Sequence, residues 1–132
     1  MKKSNPKHFF SLILIAALIV SIVSGCAKTQ GAEDGEEKNF SLVVVDKGGN
    51  ETTFDITTKR GIVGDALQDE GLIEGSNDQY GFFVTKVNGM EAIYEKDKTY
   101  WSFYINGEYA ATGVDKTPIE AGSTYMFKVE GE

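Results

Sequence analysis

The stretch Tyr100-Trp101-Ser102-Phe103-Tyr104-Ile105-Asn106-Gly107 holds the single tryptophan of the chain, three further aromatics and an Asn-Gly pair. It reads as a strand running into a hairpin, because Asn-Gly readily supplies the two positive φ angles of a tight turn. Alternation with period two puts Trp101, Phe103 and Ile105 on one face and Tyr100, Ser102 and Tyr104 on the other. One face is expected to be core. The other is too aromatic for a plain solvent face, so it is either a second core or a place where something flat and apolar binds.

The N-terminus reads as a targeting segment rather than as part of the fold. Lys2, Lys3 and Lys7 precede an apolar run from Phe9 to Val23, broken only by Ser11 and Ser21. That run is shorter than the ~20 apolar residues a spanning helix needs. It ends in Val23-Ser24-Gly25-Cys26, which resembles a bacterial lipobox. Small residues at 24 and 25 suit the extended substrate of a peptidase, and the Cys26 thiol is the nucleophile that takes up lipid. Residues 1–25 are therefore expected to be a signal peptide, with Cys26 lipidated and the chain held on the outer side of a bacterial membrane. Two acyl chains suffice for a stable anchor.

Removing residues 1–25 leaves 107 residues and shifts the net charge from −7 to −10, since three lysines leave and no acid does. Such an acidic surface opposes nucleic-acid binding, which requires clustered Lys and Arg against phosphate. The only histidine, His8, lies in the removed part. Without histidine or a free thiol, Ser-His-Asp and Cys-His catalysis are excluded, as are the usual zinc, copper and haem sites. No carboxylate pair is marked by spacing or by an apolar surround, so no enzyme activity is expected and no cofactor is implied. Oxygen ligands for Ca²⁺ remain, either Glu74, Asn77 and Asp78 or Asp46, Asn50 and Glu51, but no Asp-x-Asp-x-Asp-Gly loop is present.

Residues 26–38 read as an acidic tether, with Glu33, Asp34, Glu36 and Glu37 and no large apolar side chain. Residues 39–132 are enough for one small domain. Phe40–Val45 and Thr52–Ile56 predict a hairpin around Lys47-Gly48-Gly49-Asn50. Ile62, Val63, Ala66 and Leu67 follow the spacing of one apolar helix face, with Thr58 as a cap, Gly64 allowing close packing on the sheet and Gly71 as the C′ glycine. Gly75–Gln79 reads as a polar loop. Tyr80–Val87 is a strand ending at Asn88-Gly89, Ala92-Ile93-Tyr94 a short edge strand, and Glu108–Ala110 the return of the Asn106-Gly107 hairpin. Ser123–Glu130 closes the chain as a strand, with Tyr125, Phe127 and Val129 opposed to Thr124, Met126 and Lys128. The fold class is α+β, one sheet and one helix.

Three segments recur in order: Gly81-Phe82-Phe83-Val84-Thr85-Lys86-Val87-Asn88-Gly89, then Tyr100-Trp101-Ser102-Phe103-Tyr104, then Gly113-Val114 followed by Ala121-Gly122-Ser123. With the helix ahead of them, the chain from Phe40 to Val129 resembles the DUF4430 family, which is similar to the small C-terminal β-domain of transcobalamin and intrinsic factor. The resemblance implies a β-grasp-like mixed sheet crossed by one helix. It also implies a surface that closes over one face of a corrinoid, with Tyr80, Phe82, Trp101, Ser102, Phe103 and Tyr104 nearest the ligand. The α-barrel that supplies the other face in those carriers has no counterpart in this sequence. Periodicity does not say which face of the 100–105 strand the helix covers, so Tyr100 stands beside these as a candidate. The function expected is a surface ligand-binding lipoprotein, and the ligand that the resemblance implies is cobalamin or a related corrinoid. The alternative is an interaction module docking to a surface or transporter protein through an edge strand such as Glu108–Ala110 or Ala92–Tyr94.

Overall fold

The computed structural model describes residues 34–132. The signal segment, Cys26 and most of the tether lie outside the described residues. Strand β1 (Lys38–Val45) and β2 (Glu51–Thr58) form the expected hairpin, in register from Lys38 opposite Thr58 to Val45 opposite Glu51. Asp46 shapes its turn by accepting hydrogen bonds from the N–H groups of Gly48 (2.8 Å) and Asn50 (2.9 Å), and Gly49 takes the positive φ the turn requires. Helix α1 spans Val63–Asp69 and buries Val63, Gly64, Ala66 and Leu67. Then come β3 (Ile73–Asp78), β4 (Gly81–Val87), β5 (Met90–Glu91), the single-turn helix α2 (Tyr94–Asp97), β6 (Thr99–Ile105), β7 (Glu108–Tyr109), a 3₁₀ turn at Val114–Lys116 and β8 (Thr124–Gly131).

The larger sheet has the order β2-β1-β8-β6-β7. Its β1–β8 pair is parallel and its other pairs are antiparallel. The smaller sheet is β3-β4-β5. One face of the larger sheet carries Phe40, Leu42, Val44, Ile56, Trp101, Phe103, Tyr125 and Phe127, all in the core. The opposing layer contributes Val63, Ala66 and Leu67 from α1, Ile73, Val84 and Val87 from the smaller sheet, and Ala92, Val114 and Ile119 from the connections. This is the α+β, β-grasp-like mixed sheet crossed by one helix longer than a turn that the resemblance implies, but β3-β4-β5 form a second sheet where the sequence pattern predicts one.

Four local expectations differ. Gly75–Gln79 is mostly strand: β3 shows no alternation because every residue after Ile73 is exposed, and from Gly75 onward it is marked by its backbone pairing with β4. Thr58 does not cap α1; it ends β2 and accepts from the Arg60 N–H at 3.0 Å. The helix start is satisfied instead by the bond from Val63 N–H to the Thr117 carbonyl, 2.9 Å. Gly64 allows close approach not to the sheet but to the 3₁₀ turn, since a Cβ there would lie 3.0 Å from the Val114 carbonyl oxygen. Ala92–Tyr94 is not an edge strand: Ala92 is core and Tyr94 opens α2. The described end of the tether is not free either. Asp34 accepts from the Gly61 N–H (2.9 Å) and pairs with Arg60 (3.4 Å), and Gly35 N–H donates to the Lys59 carbonyl.

Candidate functional site

Alternation along β6 gives its two faces different fates. Trp101 (8% exposed) and Phe103 (9% exposed) belong to the core. The Phe103 ring stacks on Phe127 at 4.9 Å and on Tyr125 at 6.1 Å. Tyr100, Ser102 and Tyr104 share the outer face, where Tyr100 is 37% exposed, Tyr104 is half-buried and Ser102 is buried beneath its neighbours. The register of β6 against β8 sets Tyr100 opposite Glu130, Ser102 opposite Lys128 and Tyr104 opposite Met126. Pairing with β7 sets Tyr109 opposite Tyr104, and these two rings meet edge to face at 5.6 Å and 89°. On the far side of Met126 lies Val43 of β1.

Glu130 ties this face together. Its Oε2 accepts the Ser102 hydroxyl at 2.6 Å and its Oε1 accepts the Tyr104 phenol at 2.7 Å. Those two bonds, the one from Ser102 foremost, hold the Glu130 carboxyl below its ordinary pKa. The same bond to Glu130 is the chief cause that raises the Tyr104 phenol, with burial adding to it. Because the folded carboxyl titrates lower than in the unfolded chain, its stabilising contribution is present above the ordinary value of about 4.3 and is lost as pH falls through the folded value. Glu130→Gln is therefore expected to lower the melting temperature at pH 7. As pH falls through the folded carboxyl's titration the melting curves of the two proteins should converge. A gap unchanged across the whole carboxylate titration would show that the charge of Glu130 is not the stabilising element.

The seven ligand residues read from the sequence thus do not form one surface. Tyr100, Ser102 and Tyr104 are brought together. Trp101 and Phe103 are corrected to core residues, because neighbours on a strand point to opposite sides and the helix-bearing layer covers theirs. Tyr80 and Phe82 stand in that opposing layer, at the start of β4. Tyr80 is 80% exposed, whereas Phe82 leans on the core, its N–H bonded to Asp115 at 3.1 Å. The sequence reading missed Glu130, Tyr109 and Met126. The period-two pattern of β8, continued one step, contains Met126 and Glu130 on the face away from Phe127. Only the cross-strand register shows what they adjoin.

Two hollows among the described residues measure about 290 Å³ and 380 Å³. The first is lined by Asp46, Lys47, Gly48, Met90, Glu91 and Val129, and the second by residues of β1 and β2 with Gly122. Neither is lined by Tyr100, Ser102 or Tyr104. Among the described residues no group of three His, Cys, Asp or Glu side chains is placed to hold a metal ion. The oxygen ligands considered for Ca²⁺ are engaged within the protein: Asp46 by its turn, Asp78 by the Tyr80 N–H and Glu74 by Lys86 at 3.0 Å. No described helix is long and apolar enough to cross a membrane.

Comparison with known proteins bears on this geometry. A family described as a domain of unknown function, DUF4430, matches residues 62–131, from the start of α1 through β8. No curated protein matches the sequence. Among solved structures, the chain is similar to a protein of Ruminococcus gnavus ATCC 29149 described as a candidate metal-binding protein. The two share 25% identity over 72% of this chain and 98% of that one, with a TM-score of 0.68. It is also similar in fold to haptocorrin in complex with Cbi, at 17% identity and a TM-score of 0.59. That likeness covers 73% of this chain and 25% of haptocorrin, so the chain spans about a quarter of that protein's length.

Proposed function

The chain belongs to the DUF4430 family, and on that premise we propose that it is a non-enzymatic small-ligand-binding module whose ligand is a corrinoid, cobalamin or a relative of it. The observation that carries this reading is the outer face of β6, where Tyr100 stands exposed opposite Glu130 and Tyr104 lies between Met126 and the exposed Tyr109. A flat molecule laid there gains ring contact and apolar burial, while the Ser102–Glu130–Tyr104 bonds hold the platform rigid. The likeness of fold to the haptocorrin–Cbi complex supports the ligand class. Titrating the protein with cobinamide, while following the aromatic NMR signals of Tyr100, Tyr104 and Tyr109 and the emission of Trp101, tests it. Saturable shifts confined to the outer face are expected. Their absence at millimolar ligand overturns the reading.

The module is placed outside the cell on a lipid anchor at Cys26, a position supported by the Lys-rich start, the apolar run and Val23-Ser24-Gly25-Cys26. Cys26→Ala is expected to abolish incorporation of an alkyne-labelled fatty acid and to move the protein from the membrane fraction to the soluble one. Labelling that persists in the variant counts against the anchor. A second reading, docking to a surface or transporter protein, is favoured by β2, which has a strand neighbour on one side only over its whole length. Specific recovery of one membrane protein, lost when Asp55 is replaced by proline, would support it.

A further inference from the structure

We propose that the outer face of β6 carries a site for a small organic cation of the quaternary-ammonium class, seated among Tyr100, Tyr104 and Tyr109 and held by the charge of Glu130. The site lies on the face assigned above but does not depend on the corrinoid reading.

Three rings and one carboxylate make the argument. Tyr104 and Tyr109 stand at 89° to one another with centroids 5.6 Å apart, two walls meeting in a corner. Tyr100 is the direct cross-strand neighbour of Glu130, so its side chain rises beside the carboxylate on the side away from Tyr104. Glu130 reaches along the strand to bond both Ser102 and Tyr104, which places negative charge at the Tyr104 hydroxyl, on the side facing Tyr100. Aromatic faces attract cations through their quadrupole, and aromatic cages are a recurring way to hold quaternary ammonium groups. Tyr109 is 69% exposed, so a ligand can reach the corner.

The charge of Glu130 is not consumed within the protein. Among the described residues the ion pairs join Lys47 with Asp97, Arg60 with Asp34 and Asp69, Lys86 with Glu74 and Lys96 with Glu91. None includes Glu130. Lys128, opposite Ser102 on the same face, is the one cation beside it. It is exposed and forms no ion pair with Glu130 among the described residues, and its charge acts on the carboxyl only as the weakest of the effects there.

The state of the carboxylate selects the kind of cation. Both oxygens already accept a hydroxyl. Each oxygen keeps about one further lone pair, fewer than the three N–H donors of a primary ammonium or the five of a guanidinium demand, and the rest of the surface is aromatic. A primary ammonium or guanidinium brings N–H donors that lose water and need acceptors in return. A quaternary ammonium brings none. Its charge is spread over methyl groups that pack on tyrosine faces, so it gives up little solvation on binding.

The experiment compares choline with 3,3-dimethyl-1-butanol, its neutral isostere, in NMR titrations of the full chain with the Tyr100, Tyr104 and Tyr109 ring signals as readout. Choline is expected to shift all three saturably and the neutral isostere to leave them unmoved. Glu130→Gln should weaken choline about tenfold, and Tyr109→Leu, a surface change, by roughly two- to fivefold. Equal shifts by both compounds, no saturable shift by choline, or full affinity in Glu130→Gln each overturn the proposal. Cobinamide without choline binding leaves the corrinoid reading standing and this one refuted; choline without cobinamide binding does the reverse.

Discussion

Tyr125→Ala is expected to cost about 3–5 kcal/mol of folding free energy, the range for deleting a buried aromatic. That is a large part of the ~5–15 kcal/mol that holds a domain of this size together. Tyr125 is 1% exposed. Its ring lies between Phe40, edge-on at 5.3 Å, and Phe103 at 6.1 Å, so its loss opens a void between β1, β8 and β6. Its hydroxyl is also bonded: it accepts from the Glu120 N–H at 2.9 Å and donates to the Pro118 carbonyl at 3.2 Å. Tyr125→Phe separates the two contributions. It keeps the ring and strands two backbone groups, at a cost of about 1–3 kcal/mol. Urea melts of the two variants give the comparison. If alanine costs no more than phenylalanine, the packing role assigned to the ring is wrong.

The second large effect is expected at Gly75→Ala. The register of β3 against β4 shifts between Glu74 and Gly75, and there the backbones approach so closely that a Cβ on Gly75 would lie 1.9 Å from the carbonyl oxygen of Phe83. That neighbour is backbone and cannot rotate away, so the hairpin must open. A loss near or above ~3 kcal/mol, the upper end for overpacking, is expected. Gly49→Ala is the control. Gly49 has φ +81°, and a Cβ there would meet nothing within 4 Å, so alanine incurs only the left-handed backbone cost of about 1–2 kcal/mol. Hydrogen exchange should show protection lost in β3 and β4 for the first variant and kept for the second. Equal destabilisation by the two would mean that the close approach at Gly75 is not rigid.

How far the fold could be read from the chain follows from where side chains carry information. The Ile62-to-Leu67 spacing marks a helix because one of its sides is core, and that was legible. The apolar run Phe40–Val45 marks a strand but reads as covered on both sides, so it does not show that Phe40, Leu42 and Val44 form its core face. The segment Glu74–Asp78 carries no such mark, since its side chains meet water on both sides and its strand character rests on backbone pairing with β4. The candidate surface was legible in half. Tyr100, Ser102 and Tyr104 could be grouped by period two, but not separated from Trp101 and Phe103, because the covered side is set by where α1 and the smaller sheet pack. Glu130 was out of reach. Its position beside Ser102 and Tyr104 depends on a strand 28 residues away from Ser102 and on the register between them.

The central position of β8 has a consequence for the order in which the molecule can be completed. Thr124–Gly131 lies between β1 and β6, so the β1–β2 and β6–β7 hairpins share no backbone hydrogen bonds until it arrives. A chain emerging N-terminus first therefore presents four open strand edges where the finished sheet has two. The parallel pairing with β1 is also the longest-range closure in the domain, joining Ser41 to Thr124, and contacts of that span form late. Up to that moment the chain is most prone to pair with the wrong neighbour. Arrival of the final strand is the step that turns two sticky hairpins into one protected sheet.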